Sequence, residues 1–256
     1  MTSIAALVLS GLDPTGGAGL LADVSIIKGE MVHAAGVPTA LTVQTGKKVV
    51  STRRIPRNFF RDSLLAQNDT FSIRGVKIGM VGSAGIVQEI YRFLRDLSPQ
   101  WVVLDPVLFS SYGTPLISDG GLKLLKKIVP LCSLITPNRL ELNMLSSLFG
   151  IGGKKKDLLC RTLSEVSGTS VLLTGGQEKE RGTDYLFHRG NMITFSGKAV
   201  MKGNFHGTGC ALSSLILANL IKGHEIEKSI EISKRKLEKR LLSGFRSSDG
   251  RWFMGA

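Results

Sequence analysis

Aromatic side chains make up only 6% of the 256 residues, so extended stacking platforms for single-stranded nucleic acid have little to be built from. The 3 cysteines, Cys132, Cys160 and Cys210, contain no Cys-x-x-Cys pair and leave an odd count. That excludes a disulfide framework and points to a reducing compartment. His33, His188, His206 and His224 lack metal-ligand spacing, which excludes a zinc site. His206 reads either as a residue bordering the Gly-rich loop or as a turn-stabilising one, and the others as surface residues. No Gly-x-x-x-x-Gly-Lys-Ser/Thr pattern occurs, so an ordinary P-loop kinase is excluded too. The apolar run Ile4 to Leu9 has no basic residue ahead of it and is broken by Asp13-Pro14. It is neither a signal peptide nor a membrane span, and a cytoplasmic protein is expected.

Acidic residues are also few, 20 against 33 lysines and arginines, for a net charge of +13. Such an excess favours anionic partners. The basic residues cluster at Arg53 to Arg61, at Lys154 to Lys156 and from Lys234 to Arg251, where seven face two acidic ones. No nucleic-acid-binding motif accompanies them, so solvated helix faces and loops are expected rather than a nucleic-acid surface.

What is present is rhythm. Short apolar runs at Ala5 to Ser10, Val37 to Val43, Gly75 to Ile78, Trp101 to Leu104, Ser133 to Ile135 and Ser170 to Leu173 read as strands. Amphipathic stretches at Gly17 to Gly29, Ala84 to Leu97, Gly120 to Ile128 and Arg139 to Leu148 read as helices between them. The alternation predicts an α/β fold, a central, mostly parallel sheet with helices on both faces. Thr183 to His188 and Met192 to Phe195, flanking Arg189-Gly190-Asn191, predict a small β-hairpin at the C-terminal edge. Helices over Gly207 to Lys222 and Glu225 to Leu242 follow. With no internal repeat, low-complexity stretch or linker, residues 1–256 read as one domain.

Four constellations carry chemistry. The segment His206-Gly207-Thr208-Gly209-Cys210 opens an apolar helix, whose first amides lack intrahelical acceptors and face the positive end of the dipole. Such a place attracts phosphate and can stabilise charge on a phosphoryl group in transfer. A buried small thiol in a Gly-rich turn is the alternative for Cys210. The segment Gly11 to Gly19, with Asp23 one turn on, contains a weak dinucleotide fingerprint, but Gln44 ends the next strand where an acidic residue is required. Asp105-Pro106-Val107 puts a carboxylate at the C-terminal end of a buried strand, the edge where open α/β sheets bind ligands. Thr136-Pro137-Asn138 with Glu141 is either a capping box or, with Asp105, a pair of carboxylates for Mg²⁺.

In this order, and together with Lys77-Ile78-Gly79-Met80, these segments resemble the hydroxymethylpyrimidine and phosphomethylpyrimidine kinases of thiamine biosynthesis, within the ribokinase-like superfamily. The resemblance covers nearly the whole chain. It implies ATP-dependent phosphorylation of 4-amino-5-hydroxymethyl-2-methylpyrimidine and of its monophosphate, with ATP and Mg²⁺ as cofactors. It places Gly11, Asp23, Gln44, Met80 and Val107 around the pyrimidine, and Gly207, Thr208 and Gly209 around the transferring phosphoryl group. Cys210 would be the catalytic base. Asn138, Thr174, Gly176, Gly207 and Gly209 would bind ATP, and Asp105 and Glu141 the metal. Partners would be the small pyrimidine and ATP, with no membrane, no nucleic acid and a homodimer in prospect. The family's lysine in Lys-Gly-Gly-His is absent, since Thr174-Gly175-Gly176-Gln177 stands there, with Lys179 and Lys202 as candidate substitutes. A pyridoxal or pyridoxine kinase of the same superfamily and a non-catalytic ligand-binding homologue remain as alternatives.

Overall fold

Period-two alternation divides the strand side chains between two cores. In β1 (Ile4–Leu12), Leu7 and Leu9 face one core while Ala6 and Val8 face the other, all of them fully buried. Each such aliphatic chain contributes roughly 1.5–3 kcal/mol by leaving water. A strand buried on both sides requires cover on both sides, and the helices supply it. The computed structural model describes residues 4–110, 112–153, 155–175, 182–197 and 205–255.

The chain proceeds through α1 (Gly19–Gly29), β2 (His33–Gln44), β3 (Val49–Arg54), α2 (Arg57–Thr70), β4 (Ser72–Ile78), α3 (Ala84–Leu97) and β5 (Trp101–Leu104). Then come α4 (Asp119–Ile128), β6 (Leu134–Ile135), α5 (Arg139–Leu148), α6 (Lys156–Ser167) and β7 (Ser170–Leu173). The last elements are β8 (Asp184–His188), β9 (Asn191–Phe195), α7 (Thr208–Ile221), α8 (Ile226–Leu242) and a two-stranded pair, β10 (Phe245–Arg246) and β11 (Trp252–Phe253). Nine strands form one sheet in the order β3-β2-β1-β4-β5-β6-β7-β8-β9. β1, β2, β4, β5, β6 and β7 run parallel, while β3, β8 and β9 pair antiparallel to their neighbours. One core joins the sheet to α2 through α6, and the other joins it to α1, α7 and α8.

The hairpin expected at one edge is β8–β9. A second antiparallel pairing, β2–β3, closes the opposite edge and was not expected. Nor were α2 and α6. The residues of β3 are all half-buried or exposed and mostly polar, as befits an edge strand. Among the described residues, no helix is long and apolar enough to cross a membrane.

The basic C-terminal stretch is largely engaged in pairing. Lys234 pairs with buried Asp184, Lys236 and Lys222 both reach Glu30 at 2.5 and 2.7 Å, and Arg235 pairs with Glu231 within α8. Glu30 thus ties the end of α1 to α7 and α8. Burial raises its carboxyl, but the two ammonium groups outweigh that and hold it below its ordinary value.

Candidate active site

The strand order reverses at β1, which is followed by β2 on one side and has β4 on the other, all three strands running parallel. Ligands bind at such a switch point, outside the carboxyl ends of the strands. The loop after β1 and the start of α7 meet there. Asp13 accepts hydrogen bonds at Oδ1 from the Thr15 amide and hydroxyl, each at 2.8 Å. Its Oδ2 lies 2.7 Å from His206 Nε2, so one carboxylate fastens the first loop to the segment that opens α7. The Asp13 carboxyl is raised by burial, but its bonds to His206 and Thr15 bring it below its ordinary value. His206 thus holds the turn together, one of the two roles its position suggested, and it directly precedes the Gly207 cap. His188 departs from the surface role expected of it, since it is half-buried with Nδ1 at 2.7 Å from Ser170 Oγ.

Gly207 caps α7 in the left-handed conformation, with φ 79°. A Cβ there would lie 1.9 Å from the Gly17 carbonyl oxygen, so both backbone angle and space demand glycine. Gly207→Ala should therefore lose more than the roughly 1–2 kcal/mol of the left-handed conformation alone. Urea unfolding should show the midpoint lowered with the slope unchanged.

No side chain caps α7. Among the described residues, the amides of Thr208, Gly209 and Cys210 find no acceptor, while the Ala211 amide already donates to the Gly207 carbonyl. Thr208 is half-buried and Gly209 exposed, so these donors are open to a ligand. Asp105 stands beside them: its Oδ1 is 4.0 Å from the position a Cβ on Gly209 would take, and Ser213 donates to its Oδ2 at 3.4 Å.

Behind the loop lies a fully buried ion pair. Lys77 of β4 places Nζ 2.5 Å from Asp23 Oδ1 and 3.9 Å from Asp105 Oδ2, and Ser214 of α7 donates to Asp23 Oδ1 at 2.9 Å. Burial pulls the Lys77 ammonium down, but the surrounding negative charge, Asp23 foremost, raises it above its ordinary range. Cys210 adjoins this network. Burial, then the Asp105 charge, push its thiol well above the ordinary value, while Lys77 and the Gly19 amide pull the other way. Sequence reasoning grouped Lys77 only with the Lys-Ile-Gly-Met segment. Its signal was a lysine inside the apolar run Gly75 to Ile78 at the end of β4.

The other candidate residues distribute as follows. Gly11 packs on the Met80 sulfur with no room for a side chain, and Thr39 fixes the Met80 carbonyl at 2.5 Å. Gln44 and Val107, both half-buried, lie at the end of β2 and just past β5. Asp23 differs from the rest of this set. It is completely buried against Lys77 and Ser214, so its side chain belongs to the interior network and not to the lining of the cleft. Asn138 and Glu141 complete a reciprocal capping box, with Glu141 Oε1 also accepting from the Leu108 amide at 3.4 Å. The capping box expected here is thus present. Burial, and then the nearby Asp105 charge, push the Glu141 carboxyl up to about 8. Thr174 donates its amide to the Pro137 carbonyl at 2.9 Å, which brings it beside Asn138. Gly176, Gln177, Lys179 and Lys202 lie outside the described residues.

A mostly parallel sheet, an uncapped helix start above its carboxyl edge and a flanking aspartate define a ribokinase-like fold. The chain superposes on a pyridoxal kinase from Bacillus subtilis with TM-score 0.89 at 23% identity, covering 99% of this chain and 97% of that one. At that identity the likeness speaks for the fold alone. Residues 13–253 match the phosphomethylpyrimidine kinase family. A hydroxymethylpyrimidine/phosphomethylpyrimidine kinase from Aquifex aeolicus is 33% identical over 257 residues, 95% of this chain and 99% of that protein. The crystal structure of phosphomethylpyrimidine kinase from Clostridium difficile 630 gives TM-score 0.77 at 29% identity, covering 92% and 98%. The chain belongs to the phosphomethylpyrimidine kinase family.

Proposed function

We propose that this chain transfers the γ-phosphoryl group of ATP to the hydroxymethyl oxygen of 4-amino-5-hydroxymethyl-2-methylpyrimidine, and then to the resulting monophosphate, as a cytoplasmic enzyme of one domain. The family makes it a phosphotransferase of thiamine biosynthesis. The observation that carries the reading is the uncapped start of α7, whose amides at residues 208–210 find no acceptor among the described residues and lie beside Asp105. Those amides would hold the γ-phosphoryl oxygens as charge builds on them. Gly11, Gln44, Met80 and Val107 would border the pyrimidine ring. Asp23 would position Lys77 beneath it, and Asn138 and Thr174 would border the nucleotide.

In the first transfer the alcohol oxygen bonds to the γ-phosphorus as the bond to the β,γ-bridging oxygen breaks. ADP leaves with that electron pair, and the alcohol proton passes to the Cys210 thiolate. The monophosphate needs no base, because its second pKa lies near 6 and its oxygen is already anionic. Mg²⁺ fits the remaining carboxylates: the charge of Asp105 contributes to the raised Glu141 carboxyl, a repulsion that a cation relieves. Asp105 and Glu141 would hold it, and it would supply charge neutralisation to the ATP phosphates.

The test is a panel of the pyrimidine alcohol, its monophosphate, pyridoxal and pyridoxine, each with ATP and Mg²⁺. Both pyrimidines should be turned over, with kcat/KM at least tenfold above either pyridine. Preference for a pyridine ring assigns the chain to pyridoxal phosphorylation instead, and ATP binding without turnover on any ring assigns it to the non-catalytic class.

A further inference from the structure

Of the basic residues between 234 and 251, Arg251 is the one that is buried and yet unanswered. It is 7% exposed, and its Nε and Nη2 donors are shut from solvent without an acceptor. Among the described residues, no carboxylate lies within ion-pair distance of it. Asp249, two residues earlier, is occupied elsewhere: its Oδ1 accepts from Ser247 Oγ at 2.5 Å and from the Arg251 amide at 3.2 Å. A guanidinium cannot shed its charge, and burying one without an anion is costly. The arrangement is complete only when an anion arrives.

Three segments that leave the carboxyl edge of the sheet hold this guanidinium in place. Tyr112, on the loop after Asp105, lies beneath it with the guanidinium carbon 5.4 Å from the ring centroid. The Tyr112 hydroxyl donates to the Gly46 carbonyl at 2.9 Å, just beyond the end of β2. Gly46 in turn presses on the hairpin: a Cβ there would lie 2.8 Å from Arg251 Cβ. The next residue, Trp252, accepts from the His206 amide at 2.9 Å and bridges Phe205. Through its neighbour Trp252, Arg251 therefore flanks the segment that opens α7, close to the sheet edge where ligands of such folds bind.

We infer that the Arg251 guanidinium is a phosphate-binding group of this site, taking a phosphate of a reactant: the monophosphate substrate's own, or one from the nucleotide. Planar paired donors suit phosphate oxygens, and the cation–π contact with Tyr112 supports the guanidinium from one side. The inference rests on the kinase reading above for the identity of the reactants, and on the buried unpaired donors for the site itself.

The experiment compares wild type, Arg251→Met and Arg251→Lys. KM is measured for ATP, for the monophosphate and for the phosphate-free alcohol, and melting temperature is followed against inorganic phosphate. Loss of charge-assisted bonds corresponds to about ten- to hundredfold in affinity. In Arg251→Met, KM should rise by that factor for the monophosphate if the substrate's phosphate is held, or for ATP if the nucleotide's is. Arg251→Lys should recover part of it, and the phosphate concentration giving half-maximal stabilisation should rise about tenfold in Arg251→Met. Without added phosphate, Arg251→Met should melt no lower than wild type, because an unpaired buried charge has gone. An equal KM rise on all three reactants, or a lower melting temperature with an unchanged phosphate response, overturns the inference. Should the wild type phosphorylate neither pyrimidine, the kinase reading fails while the phosphate titration still decides on Arg251.

Discussion

Cys210→Ala should cut kcat for the pyrimidine alcohol by about 10²–10⁴, the usual contribution of a positioned base, while changing the monophosphate reaction less than about tenfold. The asymmetry follows from the nucleophiles, since only the alcohol must lose a proton as it attacks. Burial and Asp105 push the Cys210 thiol well above its ordinary value, so the base form is the minority species at neutral pH. Its share grows as pH rises, and the wild-type rate on the alcohol should climb through the alkaline range. That limb should be missing from Cys210→Ala and from the wild-type reaction with the monophosphate. Steady-state rates on both substrates from pH 6 to 10 decide the matter. Equal losses on the two substrates, or an alkaline limb that survives the substitution, remove Cys210 from the role of base.

Lys77→Met should destabilise the protein by about 3–5 kcal/mol, because it strands the Asp23 carboxylate in the interior. Asp23→Asn combined with Lys77→Met should recover at least half of that, since the remaining amide still accepts from Ser214. Chemical denaturation of the wild type, of Lys77→Met and Asp23→Asn singly, and of the double variant gives the coupling directly. The pH dependence has a definite sign. The folded-state pKa of Lys77 lies above its unfolded value, so the ion pair's stabilisation is complete below the unfolded pKa of 10.5 and fades only as pH passes the folded one. Stability from this source is therefore flat across the neutral range. In Lys77→Met alone Cys210 also loses the cation that pulls its thiol down while Asp23 still pushes it up, so the alkaline limb on the alcohol should move to still higher pH. A double variant no more stable than Lys77→Met would show that the pair is not coupled.

Where a segment is buried, its sequence announced its structure. Trp101–Leu104, Ser170–Leu173, Ala84–Leu97 and Arg139–Leu148 have the bounds that apolar periodicity indicates, because packing on the sheet imposes that periodicity. β3 and α2 were missed for the opposite reason. β3 offers Val-Val-Ser-Thr-Arg-Arg with no buried face, and α2 buries only Phe60 and Leu64, a stripe too narrow to stand out among its charges. The turn that opens α7 was legible because Gly207 and the uncapped helix start are local features. Lys77 and Arg251 were not, since what distinguishes them is the absence or identity of a partner brought from elsewhere in the chain. Asp23 illustrates the same limit. Its place one turn into α1 was readable, but that it faces Lys77 depends on how α1, β4 and α7 meet.

The Asp13–His206 contact joins residues 193 positions apart, and Ser214 meets Asp23 across 191. Such closures come late, because the entropy of bringing distant segments together must be met before the contacts reward it. The sheet can be largely in place while the cleft is still two separated halves. Binding competence thus becomes a sensor for the completed fold: a refolding chain should regain its far-ultraviolet signal before it can hold nucleotide, and nucleotide should slow the opening of α7 more than the fraying of β3.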